Sequence, residues 1–326
     1  MSIVAIFGPT ASGKSDVAET IARRIPAEVV SADSMQVYRG LAILSNQPSY
    51  PTHLVGIWPL DHEGSVGEYQ RLAHATIDAI LERGRTPLVV GGTGLYLRAA
   101  LAELDIPPEP TPGLRERVER LYEQLGPQGA HALLAERDPA SGARVHPNDR
   151  RRVVRALELA ELGSTLRPRD YRLWSEATRH PTLIFGLAVP SGELARRIEE
   201  RARAMFAAGV EREVRSALAD PISATARHVH GLREIAELSP EQALEALIAT
   251  TRRYAAYQRK WMRRIPGLVS VSADRAPAAI ADEILAHISR ASRSERGRRL
   301  GNGAPHPSRP ARGAAPIRDA RTRARP

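Results

Sequence analysis

Three groups of side chains in this chain have types and spacings suited to chemistry. The first is Gly8-Pro9-Thr10-Ala11-Ser12-Gly13-Lys14-Ser15, the pattern Gly-x-x-x-x-Gly-Lys-Ser. Glycines in such a loop let consecutive backbone N–H groups point at one centre, and a helix start just after them adds about half a positive charge. Lys14 would bridge phosphate oxygens and the Ser15 hydroxyl would ligate Mg2+, so the loop is expected to bind a di- or triphosphate. The second is Asp33. It is suited to hold Mg2+ through water or to take a proton from a nucleophile; its structural alternative is to cap the turn Ala32-Asp33-Ser34. The third is Gly91-Gly92-Thr93-Gly94, a weak motif alone, in which Thr93 offers a polar contact. Only Lys14 and Lys260 among 47 basic residues are lysines. Lys is a compact point charge and Arg a planar fork, so a lysine in the glycine loop stands out.

These groups need elements that bring them to one place. Ser2 to Phe7 reads as a buried parallel strand entering the loop, and Asp16 to Arg24 as the helix leaving it. Glu28 to Ala32 is a second strand ending at Asp33, with a third expected at His53 to Ile57. A helix follows from Gly67 to Arg83, then the strand Thr86 to Val90 and a helix from Leu95. Strand alternating with helix predicts a P-loop NTPase-like, doubly wound parallel sheet of the α/β class, with ligands at the carboxyl ends of its strands. Four prolines between Ile106 and Pro112 break the rhythm. Helical patterns follow at Leu114 to Leu125, Ala130 to Glu136 and Asp149 to Leu162. The αβ pattern resumes at Thr182 to Val189, with a helix from Ser191 to Ala208 and a long one from Glu241 to Ile265. The expected organisation is therefore the first part of the α/β core at 1–110, an all-helical insertion domain at 111–180, the rest of the core with the long helix at 181–289, and a disordered basic C-terminal tail at 290–326.

Of the formal charge of +10, +9 sits in that tail, which holds eleven arginines against Glu295 and Asp319. The other 289 residues carry 36 basic and 35 acidic groups. The overall basicity is thus poor guidance to the folded part; low apolar content predicts a solvated extension. Two stretches within the fold run basic: Ala143 to Arg155 has five arginines and one aspartate, and Thr251 to Arg264 has six basic residues and no acid. Arg151, Arg152 and Arg155 lie three or four apart and share a helix face, as Arg252, Arg259 and Arg263 nearly do. Such faces are either solvated or bind a phosphate backbone. Tyr254 and Trp261 read as core rather than as bases for stacking. With no cysteine, disulfides, thiolate nucleophiles and cysteine-ligated zinc are excluded. No early apolar run is long enough for a signal core or a membrane span, so a cytoplasmic protein without a membrane partner is expected, monomeric by default.

Together these residues resemble the tRNA dimethylallyltransferase (tRNA isopentenyltransferase) family over residues 1 to about 290. The resemblance is carried by Gly8 to Ser15, by Ser31-Ala-Asp-Ser-Met-Gln-Val-Tyr-Arg-Gly40, by Val90-Gly-Gly-Thr-Gly-Leu-Tyr96, by His146-Pro-Asn-Asp149 with Arg155 to Glu158, and by Thr251-Arg-x-Tyr-Ala255 with Gln258 and Trp261. It implies transfer of a dimethylallyl group from dimethylallyl diphosphate to the exocyclic amine of the adenine just 3′ of a tRNA anticodon. The base would be flipped out of its stack. By the same resemblance Asp33 is the general base, and Thr93 is a contact between base and reacting end. The loop from Gly8 to Ser15 holds the diphosphate with Mg2+, helped by Arg201. Ser34, Met35 and Gln36 line the base pocket, and Arg115 with Arg151, Arg152 and Arg155 grips the anticodon stem-loop. The chain departs from the family pattern at Ala42 to Pro48, at Thr52-His53 and at His230-Gly-Leu-Arg-Glu234, where an aromatic base contact is absent. The alternative reading is a small-molecule P-loop kinase that uses ATP.

Overall fold

The structure is a computed structural model and describes residues 2–166 and 172–301. Six strands form one sheet: β1 (Ile3–Phe7), β2 (Ala27–Ser31), β3 (Thr52–His53), β4 (Thr86–Gly91), β5 (Thr182–Ala188) and β6 (Leu268–Ser272). Their spatial order is β3-β2-β4-β1-β5-β6, and every pairing is parallel. The expected parallel α/β sheet is present. Its central strands β1, β4 and β5 are apolar on both faces, which parallel strands covered by helices on each side require. Periodicity identified four of the strands and met β3, expected at His53 to Ile57, only at His53. It missed β6, whose Val269 is exposed and whose apolar run is short.

Helices α1 (Lys14–Ala22), α2 (Val66–Glu82) and α3 (Gly94–Leu101) connect the first strands. Three more stand between β4 and β5: α4 (Leu114–Arg137), α5 (Pro139–Gly142) and α6 (Arg150–Glu161). The break expected within α4 is a kink. Gly126 takes φ 66°, ψ 174°, a conformation that suits glycine, and Pro127 restarts the helix. These helices bury their own apolar cluster, including Leu114, Val118, Tyr122, Leu134, Val153 and Leu157. Residues 167–171 of the expected insertion fall outside the described set. After β5 come α7 (Ser191–Ala207), α8 (Val210–Ala217), α9 (Leu232–Glu237) and α10 (Pro240–Met262). Helix α10 starts from a capping box between Ser239 and Gln242, with Pro240 in its first turn. The last helix, α11 (Pro277–Gly301), crosses a division of the chain into two units at Leu285 and Ala286. The rest of the expected tail, 302–326, lies outside the described residues. Among the described residues no helix is long and apolar enough to cross a membrane.

Because all strands are parallel, the loops that leave β1, β2 and β4 emerge on one sheet edge. Register sharpens this: Phe7 pairs with Gly91, and Ser31 with Val90. A Cβ on Gly91 would sit 2.0 Å from the Ala32 carbonyl oxygen, so only glycine lets the ends of β2 and β4 approach so closely. The three groups singled out in the sequence thus share one edge.

Candidate active site at the sheet edge

A cavity of about 790 Å³ opens at that edge. Residues 10–15, Asp33, Met35, Gln36 and Arg201 line it, joined by His230 and Tyr254. Gly8, Pro9, Ser34 and Thr93 are not part of the lining. The glycine loop has the strained geometry expected of a phosphate cradle: Gly13 takes φ 83° and caps α1, and Ala11 takes φ 63°, a region that costs a non-glycine residue roughly 1–2 kcal/mol. The Lys14 ammonium donates to the Pro9 carbonyl oxygen at 2.8 Å. Burial pushes the Lys14 ammonium down to about 8; the Asp33 charge opposes that and the Arg201 charge adds to it. Burial also lowers Arg201, again opposed by Asp33. Arg201 donates to the Thr10 hydroxyl. Ser12 contributes the one buried side-chain oxygen without a hydrogen-bond partner among the described residues. A lysine held below its usual range, a half-buried guanidinium and an unpartnered hydroxyl are each disfavoured on their own, and an anion would relieve all three.

Asp33 has both of its expected relations. One carboxylate oxygen accepts from the Met35 N–H at 3.0 Å, which is the turn-capping role, and the same side chain lines the cavity. Gln36 is more committed than expected, since Ser31 donates to its Oε1 at 2.8 Å and its amide nitrogen donates to Asn46 O at 2.9 Å. Thr93 is also engaged by protein: its hydroxyl oxygen accepts from Ser34 N–H at 3.3 Å and lies 3.2 Å from both the Ser34 and the Tyr254 hydroxyls. It is Tyr254, read as core from the sequence, that carries this cluster to the cavity wall. The His230 ring packs on Tyr254 with centroids 4.5 Å apart. The segment 230–234 thus brings the His230 ring to the cavity wall, while Leu232 is buried. Burial lowers the His230 imidazole, so it is neutral near pH 7, although Glu234 and Asp33 pull the other way. The variant segment at 42–48 is anchored as well: Glu213 accepts from the Ile43 and Leu44 N–H groups, each at 2.8 Å.

The insertion arginines sit elsewhere, on α4 and α6. Arg115 donates to Glu158 at 3.0 Å and to Glu63 at 3.3 Å, while Arg155 donates to the other Glu158 oxygen at 2.9 Å and to the Pro108 carbonyl at 2.5 Å. Glu158 is fully buried between them. Arg151 and Arg152 are exposed. On α10, Arg259 donates to Ser191 at 2.7 Å and Arg252 pairs with Glu199 at 3.5 Å, so this basic face is partly neutralised.

The family described as IPP transferase matches residues 36–265, and a second described as isopentenyl transferase matches residues 1–56. The chain belongs to the IPP transferase family. It is 39% identical over 283 residues to the tRNA dimethylallyltransferase of Thermobifida fusca, covering 81% of this chain and 88% of that one. The tRNA dimethylallyltransferase of Corynebacterium jeikeium is 37% identical over 300 residues, covering 88% of this chain and 96% of the relative. In three dimensions the chain is similar to the full-length tRNA isopentenylpyrophosphate transferase of Bacillus halodurans, with a TM-score of 0.65, 30% identity and coverage of 90% and 99% of the two chains.

Proposed function

We propose that this IPP transferase family member moves a dimethylallyl group from dimethylallyl diphosphate to the exocyclic amine of the tRNA adenine 3′-adjacent to the anticodon, releasing diphosphate. It is an enzyme, a prenyltransferase acting on tRNA. The carrying observation is that Lys14, Arg201 and Asp33 line one cavity, where the Asp33 charge favours the charged form of both cations. Anion-binding and proton-accepting groups at this range suit a substitution in which a diphosphate leaves and an amine attacks. The carbon–oxygen bond of the donor breaks with its electrons going to diphosphate, where Lys14, Arg201 and the loop N–H groups meet the developing charge. The amine nitrogen forms the new bond to carbon and gives up a proton to the Asp33 carboxylate. A purine stacked in a loop cannot reach a recessed cavity, so the base must be extruded into it, beside Met35 and the Tyr254–His230 pair.

Mg2+ fits as an ion shared with the donor. Among the described residues no cluster of three or more His, Cys, Asp or Glu side chains could hold a metal. Ser15 and Asp33 line the cavity as hard oxygen donors, a set that suits Mg2+ completed by diphosphate oxygens and water. Such an ion would supply charge neutralisation of the leaving group. The anticodon stem-loop as the bound part of tRNA, a monomeric enzyme and a cytoplasmic location belong to the same proposal.

A P-loop kinase using ATP, the alternative left open by the glycine loop, finds no support in the relatives described above. One assay tests both. Unmodified tRNA is incubated with either labelled dimethylallyl diphosphate or γ-labelled ATP. Transfer of the prenyl label to tRNA is expected; label moving only from ATP would overturn the reading.

A further inference from the structure

Helix α10 places Tyr254, Gln258 and Trp261 on one stripe, four and three residues apart. Each reaches a different point of the two glycine loops. Tyr254 lies against the Thr93 hydroxyl. Gln258 is 2% exposed and uses both ends of its amide: Oε1 accepts from the Thr10 N–H at 2.7 Å, and Nε2 donates to the Gly92 carbonyl at 2.9 Å. Trp261 packs on Gly94 so closely that a Cβ there would meet its ring at 2.1 Å, and a Cβ on Gly92 would meet Gln258 Nε2 at 2.2 Å. Glycine at 92 and 94 is thus required by what α10 lays on the loop.

We propose that Gln258 is a positioning residue, its amide setting the separation between the phosphate loop and the Gly92–Thr93 loop. The inference rests on the prenyl-transfer reading. A neutral amide pairs an acceptor with a donor on one planar group, which bridging an N–H to a carbonyl demands. The Thr10 N–H is turned to Gln258, and the Thr10 hydroxyl to Arg201, so one residue of the cradle is clamped from both sides. Gln258 therefore holds the cradle and its guanidinium at a fixed height relative to Thr93. The two substrates each bind their own loop; Gln258 sets whether the reacting atoms meet.

Three proteins in the label-transfer assay test this: wild type, Gln258→Met and Gln258→Glu, all well below their melting temperatures. Gln258→Met keeps the volume and removes both hydrogen bonds. Its kcat should fall about 30-fold or more, because misplacement by about 1 Å costs of that order. KM for donor and tRNA should stay within about threefold, the signature of lost alignment rather than lost binding. A Met variant with kcat within about threefold of wild type and only a lowered melting temperature overturns the proposal. Gln258→Glu serves if the Met variant does not fold. A neutral carboxyl can still accept from Thr10 and donate to Gly92, whereas the carboxylate turns a second acceptor on Gly92. Lys14, Asp33, Arg201, His230 and Tyr254 line that cavity with Gln258, as do Asp16, Glu19, Tyr50, Arg197, Glu200 and Arg275; all are present in wild type, so the ratio of variant to wild-type kcat is the quantity read. A ratio that falls as pH rises supports the proposal, and a ratio near one at every pH overturns it. Wild type that transfers no prenyl label would instead break the functional reading itself.

Discussion

The cavity at the sheet edge and the helical segment from α4 to α6 handle charge in opposite ways. At the edge, Lys14 and Arg201 are half-buried with the Asp33 carboxylate close enough to act on both, and desolvation disfavours the charged form of both cations. In the helical segment most of the arginines meet a carboxylate: Arg115 and Arg155 share Glu158, Arg150 meets Glu119 and Glu123, and Arg117 and Arg137 share Glu161. The first region is arranged for a ligand that completes it. The second is largely complete as it stands. A count of arginines therefore overstates the positive charge α6 can offer to RNA, and one lysine at the edge outweighs it in chemistry.

If the edge is built around proton transfer, its largest single loss comes from the base. Asp33→Asn keeps the turn-capping oxygen that accepts from Met35 but cannot take a proton. We expect kcat to fall about 1,000-fold, within the range for a general base, with the dissociation constant for tRNA unchanged. Single-turnover transfer together with a filter-binding titration reads both quantities. Wild-type turnover would remove Asp33 as the base and leave only its turn.

Lys14 sharpens the contrast between function and stability. Lys14→Met should raise KM for the donor about 100-fold, leave KM for tRNA unaltered, and not lower the melting temperature of the free protein at pH 7. The sign follows from linkage. The folded Lys14 loses its proton near pH 8 while the unfolded one keeps it to about 10.5, so between those values the unfolded chain binds more protons and this group makes stability rise with pH. The Met variant should lack that rise. Wild-type affinity for inorganic pyrophosphate should weaken as pH climbs through about 8, where the ammonium is lost; calorimetric titration checks it.

The sheet, and the meeting of the three singled-out groups at one edge, were legible because glycine spacing and buried strands are local signals, and parallel topology then fixes which loop ends share an edge. Asp33 could be placed from the end of β2 alone. The roles of Tyr254, Gln258 and His230 were not legible. Their spacing shows a common helix face for Tyr254 and Gln258, but not that α10 lies across the glycine loops, which depends on packing between elements more than 150 residues apart, as the Gln258–Gly92 bond shows. The ion pairing of the arginines was hidden in the same way: Arg115 and Glu158 are 43 residues apart, and no count along the chain reveals that they meet.

Glu158 tests how complete the helical segment is. Glu158→Gln leaves Arg115 and Arg155 half-buried without their shared charge. Breaking such a pair should cost about 3 kcal/mol of unfolding free energy by chemical denaturation. Turnover per folded molecule should stay near wild type, because the pair lies outside the cavity lining. A variant as stable as wild type would show that the two arginines are held by the Pro108 carbonyl and Glu63 rather than by Glu158.

The smallest effect is expected where exposed charge remains. Arg151 and Arg152 sit at the start of α6 and are exposed; Arg152 has only a long contact to Asp149, 3.5 Å. The double variant Arg151→Ala, Arg152→Ala should raise KM for tRNA a few-fold and flatten the dependence of tRNA affinity on salt by about one to two in slope, roughly one for each phosphate no longer neutralised. KM for the donor and the melting temperature should not move, since neither side chain supports the core or the cavity. An Arg115→Ala variant is the informative control: with its guanidinium committed to Glu158, it should lose stability before it changes the salt slope. If Arg115 instead shifted the slope as much as the exposed pair, its ion pair would have to open on RNA binding, and the helical segment would not be electrostatically complete without its ligand.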